Sequence, residues 1–346
     1  MIYSENTAIQ GACLHIVGNK SYNDGVVLSR TLMRIDERIQ PILTQYFITS
    51  FKSDERFCLF HHSGLEFNFV YKVVSSIFDD PGTLYQASVK LANQLYEHTN
   101  HNKTKGGEFC VAYFKDIGVD GQNADAVGLF KSENKDTYLR VISSDGNNDL
   151  EQENGININK LDKGCLIFNL DREEGYVLAI IDNTNRTEAK YWVDDFLQAK
   201  PRSDEYQHTQ SILKATKSFI TKELPSEREV AKGVQAELID KTLRYFKENE
   251  TFEIDDFKEK VIADEGLASD FGQYVESYLA KNEMGPLESF AISESAVKRS
   301  TRSMRSVIKL DKNFHIYVHG GEGLIKKGYD PETGMAYYQL FFNEEI

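Results

Sequence analysis

Three residues near the middle of the chain have the chemistry of a phosphodiesterase site. Asp125, Glu133 and Lys135 match the arrangement in which two carboxylates hold a divalent metal ion and a lysine helps to activate water. The two carboxylates are close in sequence, however, and Glu133 falls in a polar run, residues 132–136, that is typical of a solvated hairpin. A hairpin is therefore the favoured interpretation, and a metal-dependent nuclease remains an alternative.

Acidic and amide side chains alternate a little further along, at Asp145, Asn147, Asp149 and Glu151. Alternating oxygen ligands are typical of a calcium-binding loop, but such a loop needs a glycine at its sixth position and a glutamate at its twelfth. Those two positions hold Leu150 and Ile156. We therefore expect a flexible acidic loop and no calcium site.

Histidines recur in a strand-like run near the C-terminus. Alternation would place His315, Tyr317 and His319 on one face of a strand, where two imidazoles could bind a metal ion or a phosphate. The polar face of a half-buried sheet explains the same pattern, and we favour that explanation. Weaker histidine pairs occur elsewhere, namely His61 with His62 and His98 with His101.

Motifs for covalent or nucleotide chemistry are missing from the sequence. It contains no GxSxG, HExxH or GxxxxGK[ST] pattern. We therefore predict a non-enzymatic protein with no catalytic residue, metal or cofactor.

The charge of the chain is distributed unevenly. The formal net charge is −14, which by itself argues against binding of nucleic acid. Residues 223–294 contain 18 acidic and 8 basic side chains, whereas residues 296–327 contain 2 acidic and 8 basic ones. The charge is thus separated along the chain, and the basic segment is able to contact phosphate locally despite the negative total.

A helix in the basic segment would concentrate this charge on one side. If Ser293 caps a helix that runs to about Arg305, then Lys298, Arg302 and Arg305 share one face with Arg299 beside them. Such a one-sided stripe is the electrostatic footprint of a phosphate-binding surface. A solvated face that compensates the preceding acidic region is the competing explanation. The predicted DNA-contacting residues are Lys298, Arg299, Arg302, Arg305, Lys309 and Lys312.

The hydrophobic patterns predict an α+β fold with two domains. Residues 1–203 combine helices with a mixed, largely antiparallel sheet, because short β-rich runs alternate with Gly, Asn and Asp turns. Residues 204–346 form the second domain. It comprises an acidic helical part, residues 204–292, followed by the basic helix and a small antiparallel β-meander, residues 293–346.

The cysteines and the lengths of the apolar runs indicate the cellular compartment of the protein. The four cysteines are far apart and form no CxxC pair, which fits buried free thiols in a reducing cytosol. The longest apolar runs, such as residues 109–114, are too short for a signal peptide or a membrane span. We therefore expect a cytoplasmic protein without a membrane partner.

Several segments, in order along almost the whole chain, resemble the bacterial nucleoid-associated protein family that includes NdpA. They are Lys160–Asn169, Glu188–Trp192, Lys309–Ile316 and Tyr337–Phe342. The resemblance implies a cytoplasmic protein that associates with the nucleoid and binds DNA, without an established catalytic activity. The net charge of −14 is unlike the charge that a simple histone-like protein would need to coat DNA.

These observations predict a nucleoid-associated protein that contacts duplex DNA phosphates through the basic helix, with little sequence preference. One alternative is an interaction protein whose acidic helices recruit or modulate a DNA-processing protein. The nuclease built on Asp125, Glu133 and Lys135 is a second alternative. A homodimer would double the basic footprint.

Overall fold

The computed structural model describes residues 2–3, 7–184, 190–227, 230, 232–304, 306–310, 313–318 and 324–344. The chain divides into two compact units, Met1–Arg202 and Ser203–Ile346. No helix within the described ranges is long and apolar enough to span a membrane.

The first unit is built on β-strands. They are β1 (Ile2–Tyr3), β2 (Ala8–Val17), β3 (Val26–Val27), β4 (Phe57–Leu59), β5 (Gly107–Val119), β6 (Gln122–Ser132), β7 (Asp136–Ser144), β8 (Asn147–Gly155), β9 (Lys163–Phe168), β10 (Val177–Asp182) and β11 (Ala199–Pro201). Its helices are α1 (Ile39–Ile48), α2 (Phe69–Asp79) and α3 (Leu84–His98).

Nine of these strands form one sheet in the order β11-β4-β10-β9-β6-β5-β2-β3, with β1 also paired to β5. All of its described strand pairs are antiparallel. β7 and β8 pair with each other and form a separate two-stranded sheet. The Asp120–Gly121 turn between β5 and β6 has the residue pair that is typical of a hairpin.

Both faces of the large sheet are buried. Along β5, Phe109, Val111 and Tyr113 face the cluster that contains α2 and α3. The alternate residues of the same strand pack into a second cluster with α1, where the rings of Phe47 and Phe130 stack with centroids 4.1 Å apart. Burial on both sides explains why the strand is an uninterrupted apolar run.

The second unit is mainly helical. Its helices are α4 (Glu205–Ser218), α5 (Leu224–Glu227), α6 (Lys232–Glu248), α7 (Ile254–Phe257), α8 (Glu265–Lys281) and α9 (Glu294–Thr301). Its strands are β12 (Thr251–Glu253), β13 (Ser289–Ala291), β14 (Ser306–Leu310), β15 (Phe314–Val318), β16 (Ile325–Asp330) and β17 (Met335–Leu340). These strands form three antiparallel pairs: β12 with β13, β14 with β15, and β16 with β17. An aromatic core that includes Phe246, Phe252 and Phe290 joins the helices.

The predicted fold class is confirmed. An antiparallel sheet with helices is followed by a helical region and by short antiparallel strands at the C-terminal end. The prediction of buried free thiols is also confirmed, since all four cysteines are buried and reduced. Two local predictions are wrong. The segment expected to be a flexible acidic loop contains β8, which is paired with β7 along its whole length. The run 132–136, expected to be a solvated hairpin, links β6 to β7 and holds Glu133 in a buried position.

Candidate nucleic-acid interface

The helix α9 is anchored at its N-terminus and along one face. The side chain of Ser293 accepts a hydrogen bond from the backbone N–H of Ala296 at 3.4 Å, as expected for an N-cap. Ala296, Val297 and Ser300 are buried, and Val297 joins the aromatic core of this unit. Because this face is held against the protein, the opposite face of α9 must point to solvent.

Lys298 and Arg302 lie on that exposed side, one helical turn apart, and they line the same groove. Arg299 is exposed beside them. All three side chains are at the C-terminal end of α9, where the helix dipole favours positive charge. The predicted juxtaposition of Lys298, Arg299 and Arg302 is therefore present in the fold.

A groove of about 820 Å³ separates α9 from the C-terminal end of α6. It contains a third cation, Lys247, which belongs to the last turn of α6. Phe246, Ile292 and Val297 supply its apolar lining. Three glutamates also line it, namely Glu248, Glu250 and Glu294. The groove thus combines cations that can bind phosphate with carboxylates that limit the attraction.

A further lysine reaches the turn that follows α9. Lys217, on α4, donates a hydrogen bond from its ammonium group to the carbonyl of Ser303 at 2.6 Å. The chain turns at this point through hydrogen bonds from the N–H groups of Ser303 and Met304 to the carbonyl of Ser300. Met304, at the end of this turn, packs in the core.

This turn makes the basic helix shorter than predicted. The helix ends at Thr301, whereas the spacing of the cations predicts an end near Arg305. Arg305 and Lys312 lie outside the described residues. Lys309 lies in β14, where its backbone is paired with that of His315 in β15. The stripe of Lys298 and Arg302 therefore cannot be extended by helical periodicity to the later cations.

Sequence reasoning missed Lys217 and Lys247. Both are far from α9 along the chain, and Lys247 lies in the segment whose overall composition is acidic. Its neighbour Phe246 belongs to an apolar pattern, which places Lys247 on the solvent side of α6 but does not say which helix faces it. Only the packing of α6 against α9 brings Lys247 into one groove with Lys298 and Arg302.

The three residues of the nuclease hypothesis do not converge. The carboxylate of Asp125 accepts a hydrogen bond from the Tyr113 hydroxyl at 2.6 Å, and Lys135 forms an ion pair with Glu108. Glu133 follows the far end of β6, about 26 Å from Asp125 at the usual rise of a strand. They cannot share one metal ion at this distance.

The residues of the other candidate cation sites are distributed over strands and a turn. Asp145 and Gly146 form the turn between β7 and β8, and both have positive φ, at 50° and 81°. Glu151 is paired with Arg140 across these two strands. His319 lies outside the described residues, whereas His315 lies in β15. Within the described ranges, no three His, Cys, Asp or Glu side chains are grouped to hold a metal ion.

Some carboxylates of the acidic helices are neutralised locally. Glu237 pairs with Lys241 at 2.7 Å, and Asp240 pairs with Arg244 at 2.8 Å, in each case one turn along α6. Asp256 pairs in the same manner with Lys260. These contacts reduce the continuous row of negative charge on which the acidic-partner alternative depends.

Comparison with known proteins gives one match. The family model NA37, described as nucleoid-associated protein YejK, matches residues 13–335 of the chain. Neither a curated protein nor a solved structure gives a significant match. The match covers both compact units, including α9 and the groove beside it. It also agrees with the resemblance carried by the four sequence segments. The chain therefore belongs to the NA37 family of nucleoid-associated proteins.

Proposed function

We propose that this protein binds duplex DNA in the nucleoid through phosphate contacts, without catalysing a reaction on it. The observation that carries the proposal is the convergence of Lys298 and Arg302 with Lys247 at one groove. Cations spaced along a solvent-exposed edge can follow a phosphate backbone, and such contacts position a protein without selecting a sequence. Family membership supports the nucleoid as the place of action.

The glutamates of the groove explain how an acidic protein can bind DNA without coating it. Glu248, Glu250 and Glu294 lie among the same lining residues as the cations. Each repels phosphate and so lowers the affinity of every non-specific contact. We therefore propose modest affinity, little base preference and a strong dependence on salt. Arg299, Arg305, Lys309 and Lys312 are proposed to extend the contact.

Charge reversal tests this assignment. The double variant Lys298→Glu/Arg302→Glu should weaken binding of a fluorescent duplex by at least about tenfold near physiological salt, because both phosphate contacts become repulsive. Both side chains are exposed, so thermal unfolding should remain close to that of the wild type. The matched control is Lys90→Glu, an exposed lysine on α3. Unchanged, salt-dependent binding by the double variant would overturn the assignment.

A second candidate follows from the three glutamates of the same groove. We propose as the alternative that the groove takes a basic segment of a DNA-processing protein, which would lie between Glu248, Glu250 and Glu294. The double variant Glu248→Lys/Glu250→Lys distinguishes the two candidates when its binding of DNA and of a basic peptide is measured. This variant should strengthen DNA binding if phosphate occupies the groove. It should abolish binding of an arginine-rich peptide if the second candidate is right.

A further inference from the structure

The hairpin of β7 and β8 projects from the first unit as an arm. The arm, residues 136–155, pairs in register from Asp136 opposite Gly155 to Ser144 opposite Asn147. Every residue of β7 is exposed, and β8 is almost as open. Its strands belong to none of the three hydrophobic clusters. The arm is therefore an ordered element that contributes almost nothing to the core of its own chain.

The root of the arm is held firmly. Both oxygens of the Asp162 carboxylate are used there. One accepts hydrogen bonds from the backbone N–H groups of Glu133 and Asn134 at 2.7 and 2.8 Å, and the other accepts from the Asn134 amide at 2.8 Å. These bonds join the segment that enters the arm to the segment that leaves it. The side chain of Glu133 also forms buried hydrogen bonds with Lys131 and Tyr191, which hold the root of the arm on its interior side.

The two faces of the arm differ in chemistry. Opposite residues of an antiparallel pair share a face, so Tyr138, Arg140 and Ile142 lie on one side with Glu153, Glu151 and Asp149. This charged face is internally bonded, with Arg140 paired to both Glu151 and Glu153. The other face carries no charge. It consists of Leu139, Val141 and Leu150 at its centre, with Thr137, Ser143, Asn148, Gln152 and Asn154 around them.

The aliphatic centre of the uncharged face is strongly exposed. Leu139 and Val141 are each 64% accessible and Leu150 is 66% accessible. They are contiguous, because Val141 lies opposite Leu150 and two residues from Leu139 on the same face of β7. An apolar centre with an uncharged polar rim has the composition of a protein interface. An isolated two-stranded hairpin is also only marginally stable in water, so packing on this face would stabilise the arm.

We propose that the uncharged face of the arm binds the same face of a second copy of this chain and forms a two-fold symmetric dimer. Nucleic acid is a poor occupant, because the arm holds five acidic residues and one basic residue. Two copies of a chain with a net charge of −14 repel each other over most of their surface. On this face they can meet without bringing charged side chains together. A two-fold axis through the centre packs the aliphatic side chains of one copy against those of the other.

The test compares the two faces of the same arm. Leu139→Asp and Val141→Asp should convert the wild-type dimer into a monomer in sedimentation equilibrium, because each places a charge in the apolar centre. Ile142→Lys is the control: it places a charge on the other face, opposite Asp149, and should leave the dimer intact. Retention of the dimer by both centre variants would overturn the proposal, as would a wild type that is monomeric throughout the concentration range.

Crosslinking provides an independent measurement that does not depend on destabilising the arm. The native cysteines are all buried. Leu139→Cys should therefore be joined between copies by a short bis-maleimide, whereas Ile142→Cys should not. Equal crosslinking at both positions would contradict a specific face. The monomeric variants should keep the DNA affinity of a single protomer, so failure of the dimer and failure of the DNA-binding proposal give different results.

Discussion

Lys131 and Lys163 lie directly opposite each other on β6 and β9, and both side chains are fully buried. Two cations in this position would repel each other. Each is compensated by its own carboxylate: Lys131 Nζ is 3.2 Å from Glu133, and Lys163 Nζ is 2.7 Å from Asp182. The ring of Tyr191 lies near both ammonium groups, with its centroid 5.4 and 5.1 Å away. Burial lowers the pKa of Lys131, and the charge of Glu133 opposes that shift.

Removal of Glu133 should destabilise the first unit strongly. Glu133→Ala leaves Lys131 charged and buried beside Lys163, and loss of one partner of a buried pair typically costs about 3–5 kcal/mol. Urea unfolding monitored by the fluorescence of Trp192, which is buried in the same unit, measures the effect. Glu151→Ala removes an exposed partner of Arg140 and should cost little, because solvent screens an exposed ion pair. Similar costs at the two sites would show that the buried network does not support the fold.

Asp162 should control the order of the arm root. Asp162→Asn retains the shape of the side chain but places an amide donor among three donors, so we expect a cost of about 1–3 kcal/mol. Hydrogen exchange at the amides of Glu133 and Asn134 should become faster. Asp136→Asn is the comparison, because Asp136 accepts one hydrogen bond, from Asn157, at an exposed position. Undiminished protection in Asp162→Asn would show that the clamp is dispensable.

The salt dependence of DNA binding should show whether the cations of the groove contact phosphates. If about four to six phosphates are neutralised, a plot of log affinity against log salt should have a slope of about −4 to −5. Lys247→Ala should reduce the magnitude of that slope by about one, because one contact is lost. Lys90→Ala, on α3, provides the control and should leave the slope unchanged. A slope insensitive to Lys247 would place the phosphates elsewhere.

Acidification should weaken the first unit through His15. Burial lowers the pKa of His15, whose Nε2 bonds the Ser88 hydroxyl and whose Nδ1 accepts from the N–H of Ser29. The unfolded chain therefore takes up the proton first. The stabilising contribution is complete above the unfolded pKa of about 6.5 and is lost as the pH falls below it.

The free energy of unfolding should thus decrease between pH 7.5 and 5.5, by at most about 1.4 kcal/mol per pH unit from this histidine. His15→Gln should make the decrease shallower, although the variant itself is less stable at every pH. Urea titrations across this range give the slope directly. A slope that is identical in the wild type and the variant would assign the pH dependence to other groups.

The sequence by itself determined the main elements of the fold and the family. Continuous apolar runs in β5 and β10 and helical periodicity in α3 are local patterns, and burial on one or both faces imposes them directly on the sequence. The Ser293 cap and the buried side of α9 were predictable for the same reason, because both depend on neighbours within one or two helical turns. β8 was missed because Asn, Asp and Glu dominate it, although the Asp145–Gly146 turn is a strong hairpin signal.

Tertiary structure decided which distant side chains meet. It separated Asp125 from Glu133, joined Lys247 to the groove of Lys298 and Arg302, and buried Lys131 beside Lys163. It also ended α9 at Thr301, because Met304 packs into the core and draws the chain into a turn. Charge and spacing along a sequence state which groups are available. The packing of helices and the order of strands determine their distances, and electrostatic and metal-binding chemistry depends on those distances.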